Sequence, residues 1–207
     1  MEIVTSNTQD TERKITSSVT EDELRNAIKT IIRAIGEDPE REGLQKTPDR
    51  IMRMYKEIFR GYDDEKKPKI TTFSNDAHIS EMIFDSGEYY SMCEHHMLPF
   101  FGNYYFAYIP SPEGRILGIS KVARVVGYCA ARLQLQERLA RQIVDMLADA
   151  LDGTALGFAI MMRGKHLCKS MRGVKNNGNM CVSYFSGCFK EDAQLRNEFY
   201  NMVKMAE

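Results

Sequence analysis

The stretch Gly102-Asn103-Tyr104-Tyr105-Phe106-Ala107-Tyr108-Ile109 decides the fold class of this chain. It is rich in aromatic residues and has no helical spacing, which is typical of a β-strand. The segment that follows, Pro110-Ser111-Pro112-Glu113-Gly114, has the composition of a turn. Strand-like composition recurs at 79–84, 89–92, 156–162 and 180–185. Together these segments predict an antiparallel sheet.

Helical spacing dominates the segments on both sides of these strands. Thr20 and Glu23 have the spacing of a capping box, before a helix that we expect to end at Gly36. Pro48 stands in the first turn of a second expected helix. After Ser120 an apolar stripe of helical period loses its phase at 134–136, so we expect two long helices there. A final helix is expected over about 191–205.

These elements predict an α+β fold in which an antiparallel sheet carries two long helices on one face. We divide the chain into a flexible tail over 1–19, an N-terminal helical extension over 20–64 and a catalytic domain over 65–207. The tail is polar, rich in Thr and Ser, and without periodicity.

The composition limits the classes of function. The 207 residues carry a net charge of -1, so no general basic field favours nucleic acid. No apolar stretch is long enough to span a bilayer, and residues 1–7 do not have the pattern of a secretory signal. The odd number of cysteines, five, does not fit a disulfide framework. We therefore expect a cytoplasmic protein whose clustered Cys and His serve a metal or catalysis.

Two short motifs hold three of the four histidines, Cys93-Glu94-His95-His96 and His166-Leu167-Cys168. Cys93 and His96 are close enough in sequence to bind one ion from a turn or a short helix. In an extended chain, His166 and Cys168 would face the same side. Three protein ligands and one open position are typical of catalytic zinc, which lowers the pKa of bound water.

The spacing alone leaves other interpretations open. His95 could complete a structural zinc site as a fourth ligand, or the cysteines could be buried without a metal. Lys121 and Arg124 follow Ser120 at a helix N-terminus that favours anions, although such pairs are common on plain surfaces. Glu137 could bind a purine edge or could only face the helix dipole.

Taken together, the motifs resemble those of the GTP cyclohydrolase I family. The matching segments are Cys93-Glu94-His95-His96, Gly118-Ile119-Ser120-Lys121 with Arg124, Gln134-Leu135-Gln136-Glu137-Arg138-Leu139, and His166-Leu167-Cys168 with Met171-Arg172-Gly173. The resemblance covers about residues 20–205. It implies a tunnelling fold (T-fold), a homodecamer with active sites at subunit interfaces, and conversion of GTP and water into 7,8-dihydroneopterin triphosphate and formate.

The resemblance also implies roles for individual residues. Zinc would be held by Cys93, His96 and Cys168, and would activate the water that attacks C8 of guanine. His166 would supply a proton to the ring nitrogen, and His95 and Ser120 would serve the later sugar opening and rearrangement. Glu137, with Gln136 beside it, would bind the guanine edge. The triphosphate would be bound by four cations, namely Lys121, Arg124, Arg172 and Arg50.

Three rival interpretations predict different features. A nitrile reductase of the queuosine pathway, which is a T-fold relative, lacks the paired zinc motifs. A zinc-stabilised assembly module would need the metal for folding, but would not need His166 or Glu137. A cytidine-deaminase type of zinc site would require a Pro-Cys-x-x-Cys element, which this sequence does not contain.

Overall fold

The computed structural model describes residues 19–207. The predicted tail over 1–19 therefore lies outside the described residues, except for Val19. Within the described residues, the chain divides into two compact units, 19–56 and 57–207. The division into 20–64 and 65–207 stays a prediction.

The first unit contains helix α1 (Glu21–Ala34) and most of helix α2 (Thr47–Ile58). The capping box is confirmed, since the Thr20 hydroxyl accepts from the Glu23 backbone N–H and the Glu23 carboxylate accepts from the Thr20 N–H. Ile28, Ile32 and Met52 form a small buried core. Ile31, which recurs with Ile28 and Ile32 at helical spacing, is exposed.

The second unit combines seven strands with five helices and two short 3-10 turns. The turns are Arg60–Tyr62 and Asp64–Lys66. The strands are β1 (Thr72–Ser74), β2 (Ile83–Cys93), β3 (Pro99–Pro110), β4 (Arg115–Leu117), β5 (Leu133–Gln134), β6 (Ala155–His166) and β7 (Met180–Gly187). The helices are α3 (Lys121–Ala130), α4 (Gln136–Ala150), α5 (Leu167–Ser170), α6 (Cys188–Glu191) and α7 (Ala193–Ala206).

The main sheet has the strand order β5-β2-β3-β6-β7, and its four long strands run antiparallel. Strand β5 pairs parallel with the end of β2, and β1 pairs with β4 in a separate ribbon. The prediction of two separate strands over 79–84 and 89–92 was wrong, because β2 is continuous. Gly87 and its polar neighbours have weak strand propensity, yet each pairs with a residue of β3.

Alternate residues of the sheet enter two different cores, as the pleat requires. Tyr104, Phe106 and Ile160 pack with apolar residues of α3 and α4. Tyr105 and Ala107, which point the other way, pack with residues of α6 and α7. The α+β class is thus confirmed, with helices packed on both faces of the sheet.

The predicted break after α3 is also confirmed, since β5 separates α3 from α4. The break allows Gln136 and Glu137 to begin a new helix next to the end of β2, because Gln134 pairs with Cys93. Within residues 19–207, no helix is long and apolar enough to cross a membrane.

Candidate metal and substrate site

The ends of three strands bring the two Cys/His motifs together. Strand β2 ends at Cys93, β3 begins at Pro99 and β6 ends at His166. Since these strands run antiparallel in the order β2-β3-β6, these three strand termini lie at the same end of the sheet. A tight turn follows Cys93, whose carbonyl accepts from the Met97 N–H at 2.9 Å. The topology thereby joins motifs that are far apart in sequence.

Cys93, Cys168 and His166 form the core of the site. One ligand atom from each lies within 4.8 Å of the other two, and the two sulfurs are 3.8 Å apart. Cys93 is buried and Cys168 half-buried. Burial, followed by the neighbouring Cys93 thiol, raises the pKa of Cys168. The segment 166–168 is not extended, because helix α5 begins at Leu167. The turn nevertheless keeps both side chains at the site.

The two histidines of the first motif are exposed and occupy different positions. His95 Nδ1 lies 3.8 Å from Cys93 Sγ. His96 Nε2 lies 2.9 Å from Nη1 of Arg172. Because a guanidinium only donates hydrogen bonds, His96 Nε2 accepts and therefore carries a lone pair. His96 thus lies in the turn that follows Cys93 but outside the three-residue group, in which His166 is the histidine.

His166 is held on two sides. Its Nε2 lies 2.8 Å from Gln136 Oε1, and its ring stacks on Phe100 at 4.5 Å between centroids and 7° between planes. Burial lowers the pKa of His166; the Glu137 carboxylate opposes that shift, and Lys169 adds to it. The imidazole is therefore a fixed group beside the thiols.

Gln136 and Glu137 begin helix α4 and differ in exposure. Gln136 is only 1% exposed, and Glu137 is exposed. A cleft of about 370 Å³ opens beside them, lined by His166, Cys168, Lys169, Gly178, Asn179 and Met180. Within residues 19–207 the Glu137 carboxylate makes no hydrogen bond and can accept from a ligand, whereas the Gln136 amide is engaged inside the protein.

The cations Lys121 and Arg124 are not brought to this cleft. Together with Ser120, they lie at the N-terminal end of α3. The other end of that helix is near the thiols, because the Ala130 carbonyl accepts from Ser91 of β2 at 2.7 Å. A helix of ten residues is about 15 Å long. Arg50 belongs to the first unit. Among the three predicted cations of the second unit, Arg172 is the one that contacts the Cys/His motifs, through His96.

Two aromatic residues of the site were missed from the sequence. Phe100 is fully buried under His166 and opposite it in the β3–β6 register. Tyr89 packs edge-on against Phe100 at 5.9 Å, and its hydroxyl has no hydrogen-bond partner within residues 19–207. The strand was expected to begin at Gly102. Had β3 been extended to Pro99, the register would have placed Phe100 opposite His166.

The donor set fits a metal of the zinc type. Two thiolates and an imidazole are ligands that zinc prefers, and soft sulfur donors disfavour magnesium or calcium. A divalent cation would also stabilise both sulfurs as thiolates, which would otherwise repel each other at a separation of 3.8 Å. Three protein donors would leave room for a further ligand at the ion.

Comparisons with known proteins give the same family over nearly the whole chain. The family model described as GTP cyclohydrolase I matches residues 24–204. The chain is 44% identical to GTP cyclohydrolase 1 of Clostridium kluyveri over 189 residues, which cover 89% of this chain and 98% of that protein. It is also 44% identical to GTP cyclohydrolase 1 of Caldanaerobacter subterraneus subsp. tengcongensis over 186 residues, 89% of this chain and 97% of that protein.

A more distant relative, GTP cyclohydrolase 1 of Streptococcus suis, is 40% identical over 184 residues, with 88% of this chain and 97% of that protein covered. Among solved structures, the apo crystal structure of an archaeosine synthase QueF-Like protein covers 51% of this chain and 93% of its own at 18% identity, with a TM-score of 0.39. That structural likeness is too low to characterise this chain. The family model and the curated relatives agree, and the chain belongs to the GTP cyclohydrolase I family.

Proposed function

We propose that the cleft beside Cys93, Cys168 and His166 is where this GTP cyclohydrolase I hydrolyses GTP to 7,8-dihydroneopterin triphosphate and formate. This reaction is the first step of tetrahydrofolate biosynthesis. The observation that carries the assignment to this cleft is the convergence of two thiols and an imidazole within 4.8 Å. A free carboxylate, Glu137, begins the adjoining helix.

We propose zinc as the metal, held by Cys93, Cys168 and His96. When bound, zinc would supply Lewis-acid activation of water at neutral pH. His96 is supported by its Nε2 lone pair and by its place in the turn that leaves Cys93. His166 is the competing third ligand, because its ring lies with the two sulfurs. The family resemblance favours His166 as a proton-transfer group instead, held in place by Gln136 and Phe100.

The remaining roles follow from the chemistry of each side chain. Glu137 would accept two N–H groups of the guanine edge, as an exposed carboxylate at a helix start can do. His166 would transfer a proton to the guanine ring nitrogen during C8 hydrolysis. His95 and Ser120 would assist the later opening and rearrangement of the ribose. Arg172 would exchange its contact with His96 for a contact with phosphate.

The remaining cations support a site shared between copies of the chain. One end of the sheet carries Cys93, His166 and Cys168, and we call it the thiol end. Lys121 and Arg124 lie about one α3 length, roughly 15 Å, from this thiol end. We propose that they serve the cleft of a neighbouring copy, as Arg50 would, in a homodecamer of T-fold subunits. A triphosphate carries enough negative charge to require several such cations.

Incubation of the purified protein with GTP tests this function. We expect formate to be released together with a pterin that fluoresces after oxidation, and chelation of zinc to abolish both. Zinc-loaded, well-folded protein that leaves GTP intact would overturn the assignment of the reaction to this cleft.

Paired alanine variants test the choice of third ligand. His96→Ala should lose zinc and turnover together. His166→Ala should keep zinc and assembly but lose turnover, because it removes a proton-transfer group. Zinc content measured by atomic spectroscopy distinguishes the two. Loss of metal from His166→Ala, with metal retained in His96→Ala, would make His166 the ligand.

A further inference from the structure

Gln136 is held by backbone groups of two strands. Its Nε2 donates to the Met162 carbonyl at 2.8 Å and to the Met180 carbonyl at 3.1 Å. Met162 lies in β6 and Met180 in β7. A backbone carbonyl can only accept, so the NH₂ end of the amide must face these two groups. The amide of Gln136 therefore has one orientation.

This orientation determines which atom faces His166. Gln136 Oε1 lies 2.8 Å from His166 Nε2, and an amide oxygen can only accept. His166 Nε2 must therefore carry the proton of that hydrogen bond. In a neutral imidazole the other nitrogen, Nδ1, then holds the lone pair.

The surroundings keep the amide and the ring in place. The Phe100 stack fixes the plane of the His166 ring. Gly164 leaves the room that Gln136 needs, because a methyl group there would stand 3.0 Å from Gln136 Oε1 and 2.2 Å from the Tyr89 hydroxyl. Gln136 itself is 1% exposed, so water does not compete for these hydrogen bonds.

We propose that Gln136 is a positioning residue that holds His166 in the Nε2–H tautomer, so that Nδ1 is the nitrogen that takes up a proton from water and then passes that proton to the guanine ring nitrogen. This role differs from direct contact with guanine, which the family resemblance implies for Gln136. The catalytic consequence rests on the proposed function of His166. The tautomer itself does not, because hydrogen bonds within the chain determine it.

Nitrogen NMR of the full-length zinc enzyme labelled with ¹⁵N-histidine tests the tautomer directly. The chain has four histidines, and the His166 signals are those missing from His166→Ala. Zinc has a filled d shell, so it does not broaden the signals. We expect a protonated Nε2 and an Nδ1 of lone-pair type in wild-type enzyme without GTP. A protonated Nδ1 would overturn the proposal, whether or not the enzyme turns over GTP.

Two matched variants separate positioning from packing and from substrate contact. Gln136→Met should give His166 a mixture of tautomers and lower kcat by roughly 10- to 100-fold, the range for residues that orient a catalytic ligand, with KM for GTP unchanged. Gln134→Met is the control, because Gln134 is also 1% exposed but bonds to Cys129, Gln142 and Arg138 instead. It should leave the His166 tautomer intact.

The variants can also contradict the proposal. A raised KM with unchanged kcat in Gln136→Met would indicate direct contact with guanine. The same tautomer in wild type and Gln136→Met would show that another group fixes the ring. If Gln136→Met does not fold, the wild-type spectrum still decides the assignment.

Discussion

The thiol end of the sheet and the N-terminal end of α3 are organised in opposite ways. At the thiol end, His166 is bonded to Gln136 and stacked on Phe100, so its side chain is fixed within the chain. At the start of α3, Ser120 makes no capping hydrogen bond. Over residues 19–207, neither Lys121 nor Arg124 takes part in an ion pair.

The difference indicates which part of the chemistry one chain can organise by itself. Bond breaking needs groups held within fractions of an ångström, and the thiol end supplies that order from its own strands. Binding of a flexible triphosphate needs positive charge more than fixed geometry. Exposed cations that are not paired within the described chain suit that task and suit a partner copy.

The largest expected effect is loss of the metal from the thiol end. Cys168→Ser should abolish zinc binding and turnover, because a serine hydroxyl is a poor substitute for a thiolate at zinc. Zinc content and pterin fluorescence measure the two losses. Cys181→Ser is the control, because Cys181 is an exposed cysteine of β7 outside the cleft. Full activity in Cys168→Ser would remove Cys168 from the metal site.

A smaller effect is expected at the start of α3. Arg124→Ala should raise KM for GTP by roughly 10- to 100-fold, because one charge-assisted hydrogen bond to phosphate contributes about 1.5–3 kcal/mol. Arg141→Ala is the control, since Arg141 is an exposed arginine that pairs with Asp145 on α4. Steady-state kinetics with GTP distinguish the two. An unchanged KM in Arg124→Ala would show that Arg124 does not bind the substrate and that this helix end is an ordinary solvent-exposed surface.

Co-expression of Arg124→Ala with His166→Ala chains tests whether the two regions meet between copies. Turnover is measured at a GTP concentration below the wild-type KM, where a raised KM lowers the rate. If each site takes one region from each of two neighbours, random mixing should then restore about a quarter of wild-type turnover. If both regions came from one chain, every site would keep one defect, and the mixture would show no more than the residual rate of Arg124→Ala. Affinity purification through a tag carried by only one of the two variants must recover both chains before activity is compared.

The sequence predicted local features, such as helix starts, better than it predicted which strands and side chains meet in the fold. Helix starts were predicted well at Thr20 and at Gln136, because capping and a loss of phase are local signals. The continuity of β2 through Gly87 was not, because pairing with β3 overrides weak local propensity. The stacking of Phe100 on His166 depends on strand register, which no local pattern specifies.

The same limit applies to the site. The motifs indicated candidate ligands for a metal and for a purine, because the residue types determine which side chains are thiols, imidazoles or carboxylates. The individual assignments stay predictions. They did not predict that Gln136 would be enclosed by backbone carbonyls. Nor did they predict that Arg172 would contact His96. Both contacts depend on how β6, α5 and β7 follow one another in space.

The smallest expected effect lies on the same strand as Cys93 but away from the thiols. Asp85 is half-buried and accepts a hydrogen bond from the Tyr104 hydroxyl at 2.8 Å. Burial raises the pKa of Asp85 above its ordinary value, although the bonds from Tyr104 and the backbone oppose this. The folded protein therefore holds the Asp85 proton to a higher pH than the unfolded chain does.

The raised pKa predicts that the difference in the free energy of unfolding between Asp85→Asn and wild type depends on pH. Below about pH 4 the carboxyl is protonated in both states, and its contribution to stability is lost as pH rises through the folded-state pKa. Asp85→Asn should thus gain stability relative to wild type between acidic and neutral pH, by less than about 1 kcal/mol because solvent screens a half-buried group. Urea unfolding at fixed protein concentration measures this difference.

Glu88→Gln, which removes an exposed carboxylate that accepts from Tyr90 on the same strand, should show no such trend. An equal trend in both variants would assign the effect to net charge and not to burial of Asp85.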